Sequence, residues 1–534
     1  MQAQSHSTTN VGYERRWLGL VFIGISLVTI SLDNTILNVA IPSISRTLGA
    51  NASELQWIID AYVLVFAALL LTMGGLGDRF GRKRALQAGL VLFGLGSLAA
   101  ALSPTTGVLI ASRAFLGVGG ATIMPATLSI ISATFPSNER PRAIATWAAV
   151  FGLGVGIGPL VGGFLLQHFE WNAVFLVNIP VIIVALIGGA YTLGESRDEH
   201  APKADFPGVI LSILGLFALL YGIIEAGLLG WTNSTVLVSF AFAVVLLGAF
   251  AWWENRNPDA MLPMHFFRNM SFTGANLALA FVTFSLFGAT FFMSQYLQTI
   301  LGYSTLEAGV AGLPLALMLT FVASRSAFVA ARLGNKYTVA LGISIAGLGL
   351  LFMSVMFHHD TIIFTVVIGQ LILATGMGLA VSPATNSIMA SVPISKAGIG
   401  SAMNDTTRQL GGAVGVAVLG TIMNNYYMQG VSTLKTALPQ LPAEAQEAIS
   451  SSIQAAHLVA NNPQIPTAAR DLIISTSNQA FVTGMNTAML IGALVMAGAA
   501  VLALVLLPAE ATRMRDEHDI QVEDANVVPV HGGD

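Results

Sequence analysis

The chain has 534 residues, of which 54% are hydrophobic and only 9% are charged, and its mean hydropathy is +0.74. A water-soluble protein of this length would need more polar surface, so the composition indicates a polytopic membrane protein. The net charge of −4 says little about partners, because the positions of the charges matter more here than their sum. The lack of cysteine excludes disulfides and thiolate metal sites, and no P-loop motif points to ATP as the energy source.

Apolar stretches long enough to cross a bilayer recur along the chain. A hydrocarbon core of roughly 30 Å needs about 20 helical residues. We predict fourteen spans, at residues 17–40, 54–77, 85–103, 106–130, 141–166, 172–193, 207–228, 234–253, 271–297, 304–325, 337–357, 361–383, 397–425 and 481–507. The first is too long for a cleaved signal peptide and lacks the small residues of a cleavage site, so we expect it to be retained.

Arginine and lysine fall mainly in alternate connections between these spans. Those connections contain Arg79, Arg82, Lys83 and Arg84; Arg140 and Arg142; Arg197 and Lys203; Arg256 and Arg268; Arg332 and Lys336; and Lys396. The positive-inside rule then predicts that both termini lie in the cytoplasm. We expect a multi-pass protein of the cytoplasmic (inner) membrane. The longest connection, residues 426–480, is predicted to lie outside, with one surface helix near 443–457.

Charged residues are rare within the spans, and Asp33 and Arg113 lie close to the middle of theirs. A carboxylate in hydrocarbon is costly unless it is paired, hydrated or protonated, so it marks a candidate site for ion or substrate movement. Burial favours the protonated carboxyl, whereas a nearby guanidinium favours the ionised one. This opposition suits a site that must load and unload a proton. A permanent structural ion pair is the alternative.

Several motifs resemble those of a known family. The connection after span 2 contains Gly77, Asp78, Arg79, Gly81 and Arg82, and it resembles the signature loop between helices 2 and 3 of the major facilitator superfamily. A degraded counterpart at 331–336 fits an internal repeat. Span 5 resembles the antiporter motif of that superfamily, with Gly154, Gly158, Pro159 and Gly162 in a glycine-rich run. Segments 32–42 and 400–412 resemble the fourteen-helix drug:proton antiporter branch, the QacA/EmrB-like group. Segment 113–121 is similar to the superfamily segment whose arginine is linked to proton transfer. The glutamine usual in the fourth helix is absent here.

The resemblance implies an all-α major facilitator fold of fourteen transmembrane helices. Two pseudo-symmetric six-helix bundles, 17–193 and 271–507, would be joined by a linker, 194–270, that contains two extra transmembrane helices. The loop at 426–480 would belong to the second bundle. Segments 1–16 and 508–534 would be cytoplasmic tails.

The resemblance also implies function. It predicts a proton-coupled efflux antiporter that exports lipophilic, often cationic compounds across the bilayer by alternating access. We expect no enzymatic activity, no cofactor, no metal site and no nucleic-acid partner, and we expect a functional monomer. The candidates for proton coupling are Asp33, Arg113, Asp60 and Asp405. The candidates for substrate binding are Asn34, Trp57, Asp60, Tyr62, Phe287, Phe291, Gln295, Asn386, Asn404 and Asp405.

Two alternatives stay open at this point. A lipid or fatty-acid exporter or flippase of the same fold would need the same apolar cavity, and the sequence does not separate it from a drug exporter. An uptake transporter for a polar nutrient is favoured less, because it would be expected to lack the glycine and proline run of span 5.

Overall fold

The computed structural model describes residues 13–48, 50, 52–197, 205–257, 260 and 262–508. The predicted tails, 1–16 and 508–534, lie almost wholly outside these residues, as do parts of the predicted linker. Within the described ranges every regular element is a helix.

Fourteen long helices, numbered α1 to α14 in chain order, account for most of the described chain. They are Arg16–Leu48, Ala52–Phe80, Arg82–Ala101, Thr106–Thr134, Arg140–His168, Ala173–Thr192, Phe206–Leu229, Ser234–Glu254, Met270–Gln295, Thr305–Leu333, Asn335–Met356, Ile363–Ser391, Ala397–Val431 and Thr467–Leu506. By length and composition, 13 of them could cross a membrane. The other is α13, whose polar side chains, Asp405 and Arg408 among them, lower its hydropathy. These helices match the fourteen predicted spans.

Several helices extend beyond their predicted ends. α12 continues through Pro383 to Ser391, because a membrane helix tolerates the loss of the one backbone hydrogen bond that an internal proline removes. α14 begins at Thr467 rather than at 481. The connection before it is correspondingly shorter than predicted.

The connection between α13 and α14 is more helical than expected. It contains Thr433–Ala437, Ala443–Ser451 and Ile453–Ala460. The prediction of one helix over 443–457 is therefore wrong. Ser452 adopts an extended conformation and its side chain accepts a hydrogen bond from the Ala455 N–H, which ends one helix and caps the next.

Buried side chains form two large apolar clusters, one in each half of the chain. The first contains residues from 20 to 193, together with Ala323, Met389 and Ala397 from the second half. The second runs from residue 250 to residue 507 and takes in only Leu71 from the first half. These clusters support the predicted division into bundles 17–193 and 271–507, which stays a prediction.

The linker helices lie against one junction between the halves. Leu220 of α7 is buried with Leu64 and Ala67 of α2, and Leu410 and Ala413 of α13 pack around them. α8 packs on α7, while Val244 and Val245 on its far side are exposed. α7 therefore covers the α2–α13 junction. The other junction is formed by α5 and α10.

Candidate functional site

A buried ion pair joins α1 to α4. Arg113 Nη1 lies 2.5 Å from Asp33 Oδ2, and the two side chains are 1% and 0% exposed. The guanidinium also donates from Nε to the carbonyl of Ile58, at 3.0 Å, and lies over the ring of Tyr62, 4.5 Å from its centroid. Arg113 therefore has both the anionic and the carbonyl partner that its buried position demands.

Asn178 of α6 completes this site, although no sequence pattern points to it. Its amide nitrogen lies 3.2 Å from Asp33 Oδ1 and 3.2 Å from the hydroxyl of Ser97 on α3. Both carboxylate oxygens of Asp33 thus accept a hydrogen bond, and side chains or backbone of α1, α2, α3, α4 and α6 converge on one charge pair. A change in the charge of Asp33 acts on most helices of the first half at once.

Three more candidates lie nearby on α1 and α2. Asn34 and Asp60 are partly exposed, unlike Asp33. Trp57 is also partly exposed, and its ring lies 6.2 Å from that of Tyr221 on α7. Trp57 is therefore oriented toward the α2–α7 contact.

α13 contains a second buried charge pair, and its geometry is looser. Asp405 is 1% exposed and Arg408 is 9% exposed, but Arg408 Nη1 and Asp405 Oδ1 are 3.9 Å apart. Asn404 donates to Asp405 Oδ1 at 3.0 Å and accepts from the Thr385 hydroxyl at 3.0 Å. The fully buried Asn404 is therefore engaged in positioning Asp405, and its predicted contact with substrate stays a prediction.

Arg408 reaches across to the first half. Its guanidinium carbon lies 4.3 Å from the ring centroid of Phe151 and 5.5 Å from that of Trp147, both on α5. Trp147 is fixed by a 3.0 Å hydrogen bond from Nε1 to the hydroxyl of Thr127 on α4. Neither aromatic residue is among the residues predicted from the sequence. Their spacing of one helical turn was the available signal.

The aromatic candidates on α9 share one face with Gln295. Phe287 is 38% exposed and Phe291 43% exposed. The ring of Phe287 lies against Gly412, one turn of α13 beyond Arg408. Gln295 accepts a hydrogen bond from Gln454 in the α13–α14 connection, at 3.1 Å. This face of α9 therefore runs from the level of Arg408 to the connection between α13 and α14.

Asn386 follows Thr385, the partner of Asn404, and it lies at a cavity. It lines a cavity of about 480 Å³ between the start of α5 and the end of α10, with Arg142, Arg325 and Asn335. We call the side of the molecule where Arg142, near the start of α5, and Arg325, in the last third of α10, lie the basic side. Asn386 is therefore at the basic side.

The signature loop bridges the two halves at the basic side. Asp78, at the end of α2, accepts hydrogen bonds from the backbone N–H groups of Gly398, at 2.7 Å, and Ile399, at 3.3 Å. These are the first residues of α13, so a carboxylate lies at the positive end of that helix. Arg82 pairs with Asp78 at 2.8 Å and also donates to the carbonyl of Ile394. We call these contacts the latch.

Gly81 and Lys83 of the loop make contacts within the first half. Gly81 has a φ of +117° and lies against Glu195, whose carboxylate accepts from the N–H of Lys83. Gly77 has only an ordinary packing neighbour, and Arg79 lies 5.4 Å from the ring centroid of Phe80. Arg82 crosses to the second half through its hydrogen bond to Ile394.

The glycines of α5 allow close packing on two sides. A Cβ on Gly154 would collide with Ser31 of α1, and one on Gly158 would collide with Thr35. Gly162 lies against the same helix. Pro159 contacts Gly309 of α10. α5 is therefore held tightly between α1 of its own half and α10 of the other.

Taken together, the two packed halves, the ion pair inside the first half and the latch between them define a membrane transport protein. The sequence profile of the Major Facilitator Superfamily matches residues 23–416, and the chain belongs to that family. Its members are transporters and not enzymes. The resemblance found in the sequence is confirmed.

The chain is similar to several efflux proteins over nearly its whole length. It is 35% identical to the multidrug efflux pump LfrA of Mycolicibacterium smegmatis, over 91% of this chain and 95% of the relative. It is 31% identical to the tetracenomycin C resistance and export protein of Streptomyces glaucescens, over 93% and 92%. It is 32% identical to the methyl viologen resistance protein SmvA of Salmonella typhimurium, over 89% and 95%.

Solved structures show the same fold at low identity. The proton:xylose symporter XylE aligns with a TM-score of 0.62 and 11% identity, covering 93% of this chain and 97% of the symporter. The human organic anion transporter TETRAN aligns with a TM-score of 0.57 and 13% identity, covering 90% and 99%. The fold prediction is thus confirmed by structure as well as by sequence.

Proposed function

We propose that this protein exports lipophilic, cationic compounds from the cytoplasm in exchange for protons. It would act in the inner membrane, with the basic side and both termini in the cytoplasm. Its relatives are named for resistance to or export of drugs and of methyl viologen, a dication. Because both halves of the transport path lie in one chain, we expect a monomer to suffice.

The observation that carries the proposal is the Asp33–Arg113 pair. The pair is closed to solvent, and Asp33 accepts from both Arg113 and Asn178. Protonation of Asp33 would neutralise the carboxylate and leave Arg113 charged in a buried position, which is strongly unfavourable. The surrounding helices must then rearrange to hydrate the guanidinium or to give it another partner. A proton is thereby converted into a change of conformation.

Cation selectivity would come from the remaining carboxylates and aromatic rings. A carboxylate in a cavity of low dielectric attracts a cation more strongly than it does in water. Asp60 and Asp405 would be the carboxylates that act in this way, and Trp57 and the exposed rings of Phe287 and Phe291 would supply apolar surface. Asp60 and Asp405 would also serve as further proton sites.

Alternating access would require the latch to open. In the described structure Asp78 and Arg82 tie α2 to the start of α13, which keeps the halves together at the basic side. Entry of a compound from the cytoplasm requires these bonds to break. The tightly packed α5–α10 junction would be the surface on which the halves move.

The test is transport in proteoliposomes under an imposed pH gradient, with no ATP present. The purified protein should move tetraphenylphosphonium against the proton flow, and Asp33→Asn should abolish this movement while the protein remains folded. Asp360→Asn, the same change at an exposed carboxylate, is the matched control and should transport normally.

A labelled phospholipid provides the second arm of the experiment. Movement of the phospholipid without movement of tetraphenylphosphonium would favour the lipid exporter instead. Transport that persists without any gradient, or that is unaffected by Asp33→Asn, would contradict proton coupling through Asp33.

A further inference from the structure

Arg408 occupies a position that would suit a bound organic cation. The rings of Trp147 and Phe151 are nearly parallel, at 13°, with centroids 6.2 Å apart. The guanidinium of Arg408 lies within 6 Å of both centroids, which is the range of cation–π attraction. The carboxylate of Asp405 lies beside it.

The hydrogen bonding of Arg408 differs sharply from that of a structural arginine. A guanidinium has five N–H donors and normally engages a carboxylate through short, often paired hydrogen bonds. Arg113 follows this rule. Arg408 does not, because its Nη1 is buried without a hydrogen-bond partner and the nearest oxygen of Asp405 is 3.9 Å away. It is held by charge and by aromatic faces, which are the contacts a lipophilic cation can make.

Asp405 also has unused binding capacity. Its Oδ1 accepts from Asn404, whereas its Oδ2 is buried and has no hydrogen-bond partner. The side chain is almost fully buried, so this oxygen is not satisfied by bulk water. Phe151 is only partly buried, and it provides the open edge of the group.

We propose that Trp147, Phe151 and Asp405 form a subsite for a lipophilic monovalent cation, and that Arg408 fills this subsite as a tethered cation until the substrate displaces it. This inference rests on the proposed function and specifies where the substrate charge binds. Two aromatic faces from the first half and one carboxylate from the second half hold the cation. The subsite is therefore complete only when the halves are together.

Displacement explains why the contacts of Arg408 are loose. A competitor bonded as firmly as Arg113 would not yield to a soluble compound. A guanidinium held by rings and a distant carboxylate gives up little when it moves away. The aromatic faces stay free of water in both states, because one cation replaces another.

The experiment measures equilibrium binding of tetraphenylphosphonium to the purified full-length protein in nanodiscs, at one pH and without a gradient. Arg408→Gln removes the tethered cation and should tighten binding about tenfold, the scale expected for one cation–π group. Adding Phe151→Leu to that variant should reverse the gain. Neutral triphenylphosphine oxide should bind Arg408→Gln no more tightly than it binds the wild type.

Arg256→Gln is the matched control. Arg256 also lies on a ring, 4.4 Å from the centroid of Trp252, but its side chain is exposed just beyond the end of α8. Its loss should leave tetraphenylphosphonium binding unchanged. If Arg408→Gln does not fold, Asp405→Asn tests the same subsite, and it should weaken binding of the cation about tenfold while leaving the neutral compound unaffected.

The subsite is refuted if Arg408→Gln binds the cation no more tightly, or if it gains equally for the neutral compound. Equal loss of both ligands in Asp405→Asn has the same consequence. Failure of the proposed function would look different: wild-type protein would bind the cation and respond to Arg408→Gln, yet show no gradient-driven export in proteoliposomes.

Discussion

The latch predicts a measurable shift in conformation when one charge is removed. Asp78 is 5% exposed and Arg82 is 2% exposed, and the two remain in the same half when the halves separate. The bonds that cross between the halves run from Gly398 and Ile399 to Asp78, and from Arg82 to Ile394. Asp78→Asn should therefore favour the state that is open at the basic side.

The size of the shift follows from the bonds that cross. An asparagine oxygen still accepts an N–H, but it loses the charge that strengthens each bond, and a hydrogen bond to a charged group contributes about 1.5–3 kcal/mol. It also loses the interaction of a carboxylate with the start of α13, about 0.3–2 kcal/mol. We expect a net change of about 2–4 kcal/mol, which alters the ratio of closed to open states by roughly 30- to 1,000-fold.

The lack of native cysteine makes a spin-label experiment direct. Single cysteines at Arg84, whose side chain is 72% exposed, and at Tyr337, which is 55% exposed, place one label on each half at the basic side. Double electron–electron resonance should show the shorter distance in the otherwise unchanged protein. The Asp78→Asn variant should move population to a longer distance.

Glu195→Gln is the matched control for this measurement. Glu195 is a carboxylate at the same end of the molecule, and the hydrogen bonds it accepts come from Lys83, Arg84 and Ser196, all of the first half. Its neutralisation should leave the distance distribution unchanged. An unchanged distribution in Asp78→Asn, or an equal shift in both variants, would refute the latch.

Three further predictions follow from other parts of the structure. Gly158→Ala should lower the free energy of unfolding by about 1–3 kcal/mol, because the added Cβ would collide with Thr35. Gly248→Ala should not destabilise the protein, because the space around Gly248 is open. Thermal unfolding of the two purified variants checks both expectations. The hydrogen bond from Arg16 holds the pKa of Glu139 below its usual range, so this ion pair stabilises the protein at neutral pH and its contribution is lost as the pH falls through that lowered pKa. Glu139→Gln should therefore lower the Tm at pH 7 but have no effect well below the usual glutamate pKa of about 4.3. Asp60→Asn should weaken binding of a cationic dye more than that of a neutral analogue; an equal loss for both, with an altered pH dependence, would assign Asp60 to the proton.

The number of spans and the paired state of Arg113 could be predicted from sequence because each depends on a local or general rule. Apolar stretches of bilayer length read directly as helices, and a buried guanidinium must find an anion or carbonyl. The partner Asp33 was predictable because few charges occur within the spans. Asn178 was not, because a polar residue in a membrane helix has many packing environments, and the contact depends on how α6 lies against α1.

Contacts between the halves were harder to predict. Nothing in the sequence places Phe151 beside Arg408, since those residues are far apart in the chain and their helices meet only through the packing of the bundles. The early start of α14, at Thr467, was not predicted for a different reason. Its first turns are polar, and hydropathy ends a span where the helix itself continues.

α13 shows why a transporter keeps a helix whose polar residues are unfavourable in a membrane. It is not apolar enough to count with the other thirteen as a membrane span, yet its backbone, one charged side chain and two apolar side chains serve junctions at successive levels. Its first N–H groups bind Asp78 at the basic side, and Arg408 lies on the rings of α5 farther along. Beyond Arg408, Leu410 and Ala413 pack around the buried core of α7. α13 connects the latch to the group around Arg408. If a cation displaced Arg408 and α13 moved, the movement would also reach the start of α13, where Asp78 is bound. A more apolar α13 would insert more easily, but it would lose the connection between the bound cation and the opening of the basic side.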